Sequence, residues 1–200
     1  MFKELKVLEL ASVLAGPSVG QFFAELGAEV IKIENPATGG DVTRSWKSAG
    51  EDTDDRSAYF CSCNWGKKSV LIDLGDAGHR QKFYKLVETA DIVIASYKPG
   101  DAEKLKVDYD SLSKINPRLV YGQITGYGLS DNRVGYDAVI QAESGFMDMN
   151  GNLSQECKFI YDLTNCDYSK IYVYPVFNPL GYNSMSDYGT QWNWPTDPTW

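Results

Sequence analysis

Short apolar runs alternate with helical patterns over the first three quarters of the chain. Lys6-Val7-Leu8-Glu9-Leu10 reads as a strand, and Ser18 to Leu26 follows as a helix with Val19, Phe22, Phe23 and Leu26 at helical spacing. Gly27 is its expected stop. Glu29 to Glu34 predicts a second strand, closed by Asn35-Pro36, and Ser69 to Leu74 a third. Asp76 stands where a cap is needed for a helix that places Phe83, Leu86 and Val87 on one face. Asp91 to Ser96 forms a fourth strand ended by Lys98-Pro99-Gly100. Asp110 to Ile115 is a short helix, and Leu119 to Ile124 is a fifth strand. Strands alternating with helices imply right-handed crossovers and a mostly parallel sheet. The expected fold is therefore α/β and Rossmann-like, with helices on both faces, over residues 1–151.

The pattern stops there. Residues 152–200 hold 11 of the 26 aromatic residues and four of the eight prolines, but only two basic residues, Lys158 and Lys170. Segments such as Trp192-Asn193-Trp194-Pro195 follow neither a helical nor a strand period. Ile171 to Phe177 is the one strand-like stretch, and Pro175 assigns it to an edge. An irregular, aromatic-rich C-terminal tail is expected.

Composition narrows the function. The net charge of −8 argues against nucleic acid, whose phosphates require a basic surface. No apolar run approaches the roughly 20 residues of a membrane span, and the N-terminus shows no signal-peptide pattern, so a cytoplasmic protein is expected. The cysteines, Cys61, Cys63, Cys157 and Cys166, have no zinc spacing, and His79 is the single histidine, so no metal is expected.

Candidate chemistry lies at the strand ends. The turn Ser12-Val13-Leu14-Ala15-Gly16-Pro17-Ser18 joins the first strand to a helix whose N-terminus, placed at Pro17-Ser18, offers N–H groups to an anion. Neither Gly-x-Gly-x-x-Gly nor a P-loop occurs. Lys67 and Lys68 flank the third strand, Tyr97-Lys98 follows the fourth with Lys104 close behind, and Arg44 follows Gly39-Gly40-Asp41. Each is an ordinary loop cation taken singly; together they are the parts an anionic nucleotide needs. The acidic loop Trp46 to Ser57 reads as a solvated charge run.

A family resemblance extends this reading. Leu14-Ala15-Gly16-Pro17, Gly27 to Pro36, Gly40-Asp41 with Arg44, Lys67-Lys68-Ser69, Ala90-Asp91-Ile92-Val93, Ile115 to Tyr121, Gly135-Tyr136-Asp137 and Gln141 to Gly145 occur in an order similar to that of family III CoA-transferases (the CaiB/BaiF group). The resemblance implies a Rossmann-like domain that binds coenzyme A, an interlocked homodimer, and transfer of CoA from an acyl-CoA to a carboxylic acid. It carries CoA contacts onto Leu14, Ala15, Asn35, Lys67, Ile72, Ser96, Tyr97 and Lys104. Asn35 stands where some members have arginine. A catalytic aspartate that becomes an aspartyl-CoA thioester is implied a short way past Asn150-Gly151. The register lands on Cys166, with Asp167 adjacent and Asp162 four positions earlier; Asp167 is the candidate and Asp162 the alternative. Two other readings remain: a catalytically inactive CoA-binding fragment, and a 2-methylacyl-CoA racemase. Where the racemases carry Gly-His-Asp, this chain has Gly135-Tyr136-Asp137, which disfavours the latter.

Overall fold

A computed structural model describes residues 1–53 and 55–145. The chain divides into two units, Met1–Val134 and Gly135–Trp200. The expected tail, the edge strand at 171–177, and both candidate aspartates, Asp162 and Asp167, lie outside the described residues.

The first unit is built on one parallel sheet. Strands β1 (Lys6–Leu10), β2 (Glu29–Glu34), β3 (Lys68–Leu71), β4 (Ile92–Ala95) and β5 (Val120–Gln123) lie in the order β3-β2-β1-β4-β5. The register sets Val7 against Val30 on one side and against Ile92 on the other. Five helices occupy the connections: α1 (Ala15–Glu25), α2 (Ala58–Asn64), α3 (Ala77–Val87), α4 (Asp101–Leu105) and α5 (Tyr109–Leu112). In the second unit the described residues contain α6 (Asp137–Glu143).

Alternation along the strands explains the layers. Leu8, Leu10, Ile31, Ile33, Val93 and Ala95 point to one face, where they join Phe83 and Val87 of α3, Ala102 of α4 and Leu112 of α5 in the main core. Val7, Val30 and Ile94 point to the other face and pack against Phe23 and Ala24 of α1. Helices therefore cover both faces, as parallel sheets require.

Several boundaries differ from the sequence expectation. Helix α1 begins at Ala15 rather than Ser18, because Pro17 is tolerated in a first turn where no N–H bond is needed. Gly27 ends it at φ 96° as expected. Strand β3 stops at Leu71; Ile72 gives its N–H to Glu34 (2.9 Å), and Asp73 then accepts from Gly75 and turns the chain. Helix α3 has its expected Asp76 cap, whose carboxylate accepts from the His79 N–H at 2.7 Å. Helix α2 was not foreseen. Its sequence, AYFCSCN, is rich in weak helix formers, and Ser57 starts it by accepting from the Phe60 N–H at 2.9 Å.

Candidate functional site

In a sheet of this order the connections leave β1 and β4 in opposite directions, which opens a crevice at their carboxyl ends. One wall is the β1–α1 loop and the start of α1. The other is the segment Ser96–Gly100 after β4. They meet at Gly16: a Cβ there would overlap Ala11 and lie 3.6 Å from the Ser96 Cβ. Glycine is thus what lets the first turn of α1 settle against the end of the neighbouring strands.

That first turn carries no side-chain cap. Ser18 donates to the Leu14 carbonyl at 2.8 Å and Pro17 has no N–H, so the N–H groups that the helix start leaves without an intrahelical partner are those of exposed Ala15 and buried Gly16. The helix start therefore sits two residues earlier than the Pro17-Ser18 of the sequence expectation. Ala15 and Ser96 are exposed, while Leu14 and Tyr97 are half-buried. Burial pushes the Tyr97 hydroxyl up to about 12, so it remains a neutral phenol across the physiological range.

Beneath this crevice lies a buried ionic network that the sequence reading missed. Glu9 of β1 and Lys32 of β2 are cross-strand partners, with Lys32 Nζ 2.9 Å from Glu9 Oε1. Lys32 Nζ also lies 2.9 Å from Asp41 Oδ2 and donates to the Ala11 carbonyl at 2.7 Å. The second oxygen of Glu9 accepts from Lys67 Nζ at 2.7 Å. Lys67 gives its other two hydrogen bonds to the Pro17 carbonyl (2.8 Å) and Asn64 Oδ1 (3.0 Å). Two carboxylates and two ammonium groups balance, as burial of charge demands. Gly20 of α1 makes room, since any Cβ there would collide with Glu9 Oε2.

A second pair flanks the first. Arg44 grips both oxygens of Glu34, at 2.8 Å and 2.7 Å, and Ser69 adds a hydrogen bond to the same carboxylate. Burial raises Glu34, but Arg44, Ser69 and the Asp41 N–H outweigh it and hold the carboxyl below its ordinary value. Asp41 is likewise raised by burial and lowered further by Lys32 and Thr43, with a net downward shift. For Lys67, burial lowers the ammonium more than Glu9 raises it.

The residues singled out from the sequence separate into groups. Asn35, Ile72 and Ser96 with Tyr97 follow directly on the carboxyl ends of β2, β3 and β4, and Leu14 and Ala15 close the loop that leaves β1. Their positions line one edge of the sheet. Ile72 is buried in the main core, and Asn35 caps a 3-10 turn at Pro36–Thr38 by accepting from the Ala37 N–H. Lys104 lies on α4, exposed, and pairs with Asp101 at 2.9 Å. Lys67 precedes β3, and its three donors are engaged inside the chain. Lys68 pairs with Glu29, the first residue of β2, away from the carboxyl edge. The acidic loop is partly ordered by its own contacts: Glu51 accepts from Ser48 and Ala58. Among the described residues there is no cluster of three or more metal-ligating side chains, and no helix is long and apolar enough to cross a membrane.

Comparison with known proteins agrees with this architecture. The model of CoA-transferase family III matches residues 2–167. The chain is 42% identical over 154 residues to a succinate–glutarate CoA-transferase of Agrobacterium fabrum, a match spanning 74% of this chain and 38% of that protein. It is 40% identical over 159 residues to a succinyl-CoA:mesaconate CoA-transferase of Haloarcula hispanica, again over 74% of this chain and 39% of that one. Among solved structures it resembles a CaiB/BaiF family protein from Brucella suis, with a TM-score of 0.68 and 43% identity over 76% of this chain and 41% of that chain. Rv3272 from Mycobacterium tuberculosis gives a TM-score of 0.71 at 35% identity over 82% and 46% of the two chains. The chain thus spans about two fifths of the length of the curated relatives it matches. With matching fold and sequence, the chain belongs to CoA-transferase family III.

Proposed function

We propose that the crevice at the carboxyl ends of β1 and β4 binds coenzyme A, and that the chain contributes this nucleotide site to transfer of CoA from an acyl-CoA to a carboxylic acid. The observation that carries the reading is the uncapped start of α1, held against Ser96 at the switch point of the sheet. A helix start of this kind supplies N–H donors and a positive dipole end to a phosphate. Leu14, Ala15, Asn35, Ser96 and Tyr97 line the path of the nucleotide. Lys104 supplies an exposed cation. Ile72 contributes through its backbone, and Lys67 acts from below by holding the Pro17 carbonyl.

For the chemistry, Asp167 is the proposed nucleophile and Asp162 the alternative. The carboxylate attacks the thioester carbonyl of the acyl-CoA; the C–S bond breaks, CoA leaves as thiolate, and a mixed anhydride remains. The thiolate then attacks the aspartyl carbonyl and releases the original acid as its carboxylate, leaving an aspartyl-CoA thioester. An incoming carboxylate runs the two steps in reverse. Succinyl-CoA and dicarboxylic acids are the substrates to try first, since two of the relatives are named as a succinate–glutarate and a succinyl-CoA:mesaconate CoA-transferase.

A second reading is CoA binding at the same crevice without turnover, since the described residues that support the reading are those of the nucleotide site. One assay separates the two. The chain is incubated with succinyl-CoA and a panel of carboxylic acids, and mass spectrometry follows new thioesters and CoA-bearing protein. Product that vanishes in Asp167→Ala supports the full reading; loss in Asp162→Ala instead moves the nucleophile. Saturable CoA binding without product supports the second reading. Absence of CoA binding refutes both.

A further inference from the structure

The β1–α1 loop contains Val13 at φ 69°, a left-handed conformation that a β-branched side chain disfavours. Such a conformation persists only where the surroundings over-determine it. Here three backbone groups of the loop and the first turn of α1 are tied to the buried ions. The Ala11 carbonyl accepts from Lys32 (2.7 Å), the Val13 N–H donates to Asp41 Oδ2 (3.3 Å), and the Pro17 carbonyl accepts from Lys67 (2.8 Å). The ions holding these groups are themselves one continuous chain, Lys67–Glu9–Lys32–Asp41. Thr43 locks the last member from beneath, its N–H and hydroxyl both reaching Asp41 Oδ1 at 3.0 and 2.8 Å.

We infer that Asp41 is a positioning residue: through the Val13 N–H it holds the β1–α1 loop in its strained turn, and so aims the first N–H groups of α1 into the crevice. What the loop serves rests on the CoA-binding reading above; the clamp itself does not. Lys32 fixes Asp41 and the preceding carbonyl together, so residues 11 and 13 are held from one ammonium–carboxylate pair. Glu9 extends the hold across the sheet to Lys67 and thus to residue 17. Without these ties the loop would relax Val13 toward a negative φ and swing the Ala15 and Gly16 N–H groups away from the ligand edge. This makes the buried ions, which touch no ligand, determinants of affinity.

The test compares Asp41→Asn, Val13→Gly and the double variant with the unaltered chain. Amide hydrogen exchange of residues 12–16 is measured without ligand, and CoA affinity by titration. Asp41→Asn is expected to speed exchange of the Val13 amide and weaken CoA binding, each about tenfold, while the amides of β2 keep their protection. Glycine adopts φ 69° without strain, so in the Val13→Gly background the same change should cost less than about threefold. Unchanged loop exchange in folded Asp41→Asn, or effects that multiply independently, would overturn the clamp. If Asp41→Asn does not fold, the isosteric Thr43→Val, which removes one bond orienting Asp41, takes its place with the same two outcomes. A chain that binds no CoA refutes the nucleotide reading alone, and the exchange comparison still decides the clamp.

Discussion

Glu9 and Lys32 face each other across β1 and β2, 2.9 Å apart, with side chains 0% and 1% exposed. Both belong to strands whose other buried residues, Glu34 apart, are valine, leucine and isoleucine. On the face covered by α1 the apolar packing of Val7 and Val30 gives way, two residues further along, to this ion pair. The transition from oil to charge occurs at the carboxyl edge, beneath the loops that line the crevice. A buried pair of this kind stabilises little against an apolar substitute, but removal of one partner is severe because a charge is left without compensation.

Lys32→Met is therefore expected to destabilise the chain by about 3–5 kcal/mol, since both Glu9 and Asp41 lose their shared cation. Urea unfolding followed by circular dichroism checks it. A change under about 1 kcal/mol would mean that the pair is not desolvated in solution.

The acid side of the stability curve should be steep. Glu34 and Asp41 are held below their ordinary values of 4.5 and 3.8 in the folded chain. Their charged forms therefore favour folding, and that stabilisation is complete above those values and lost as pH falls through the lower folded ones. The urea midpoint should be flat in this respect from neutral pH to about 5 and drop below it. Glu34→Gln should flatten the drop; an acid limb of unchanged slope would contradict the assignment.

Gly20→Ala is expected to destabilise by about 1–3 kcal/mol, although alanine is the better helix former by about 1 kcal/mol. The new methyl would collide with Glu9 Oε2 and crowd Lys67 Nζ, 3.2 Å away. A thermal melt separates the two influences, and a raised Tm would show that the network yields easily.

Ala15→Asp should divide stability from binding. A carboxylate in the first turn of α1 favours the helix dipole, so Tm should hold or rise slightly. The same charge repels phosphate, and CoA affinity should fall at least about tenfold. Equal CoA affinity in a titration would move the nucleotide away from this helix end.

The strands that end at the carboxyl edge were legible because apolar runs mark them clearly, whereas Leu14, Ala15, Asn35, Ser96 and Tyr97 were singled out there by the family resemblance. Helix α2 was not, because its side chains are weak helix formers and its existence depends on the Ser57 cap and on Phe60 and Cys63 finding a core. Lys67 was legible as a cation at a loop but not as a buried one, since nothing local says that Glu9 waits 58 positions earlier.

The one-dimensional order of apolar runs, turn residues and helical spacings was enough to determine the parallel α/β fold and the loops that follow its strands. Those signals are local, and periodicity reports them directly. Glu9, Lys32 and Glu34 alternate with apolar neighbours, a pattern that does not itself say whether their face meets solvent. Only tertiary packing buried them, by bringing α1 against Glu9 and setting Asp41, Arg44 and Lys67 within hydrogen-bond reach. A charge can be buried only when its partner arrives with it, and partners far apart in the chain are chosen by the fold.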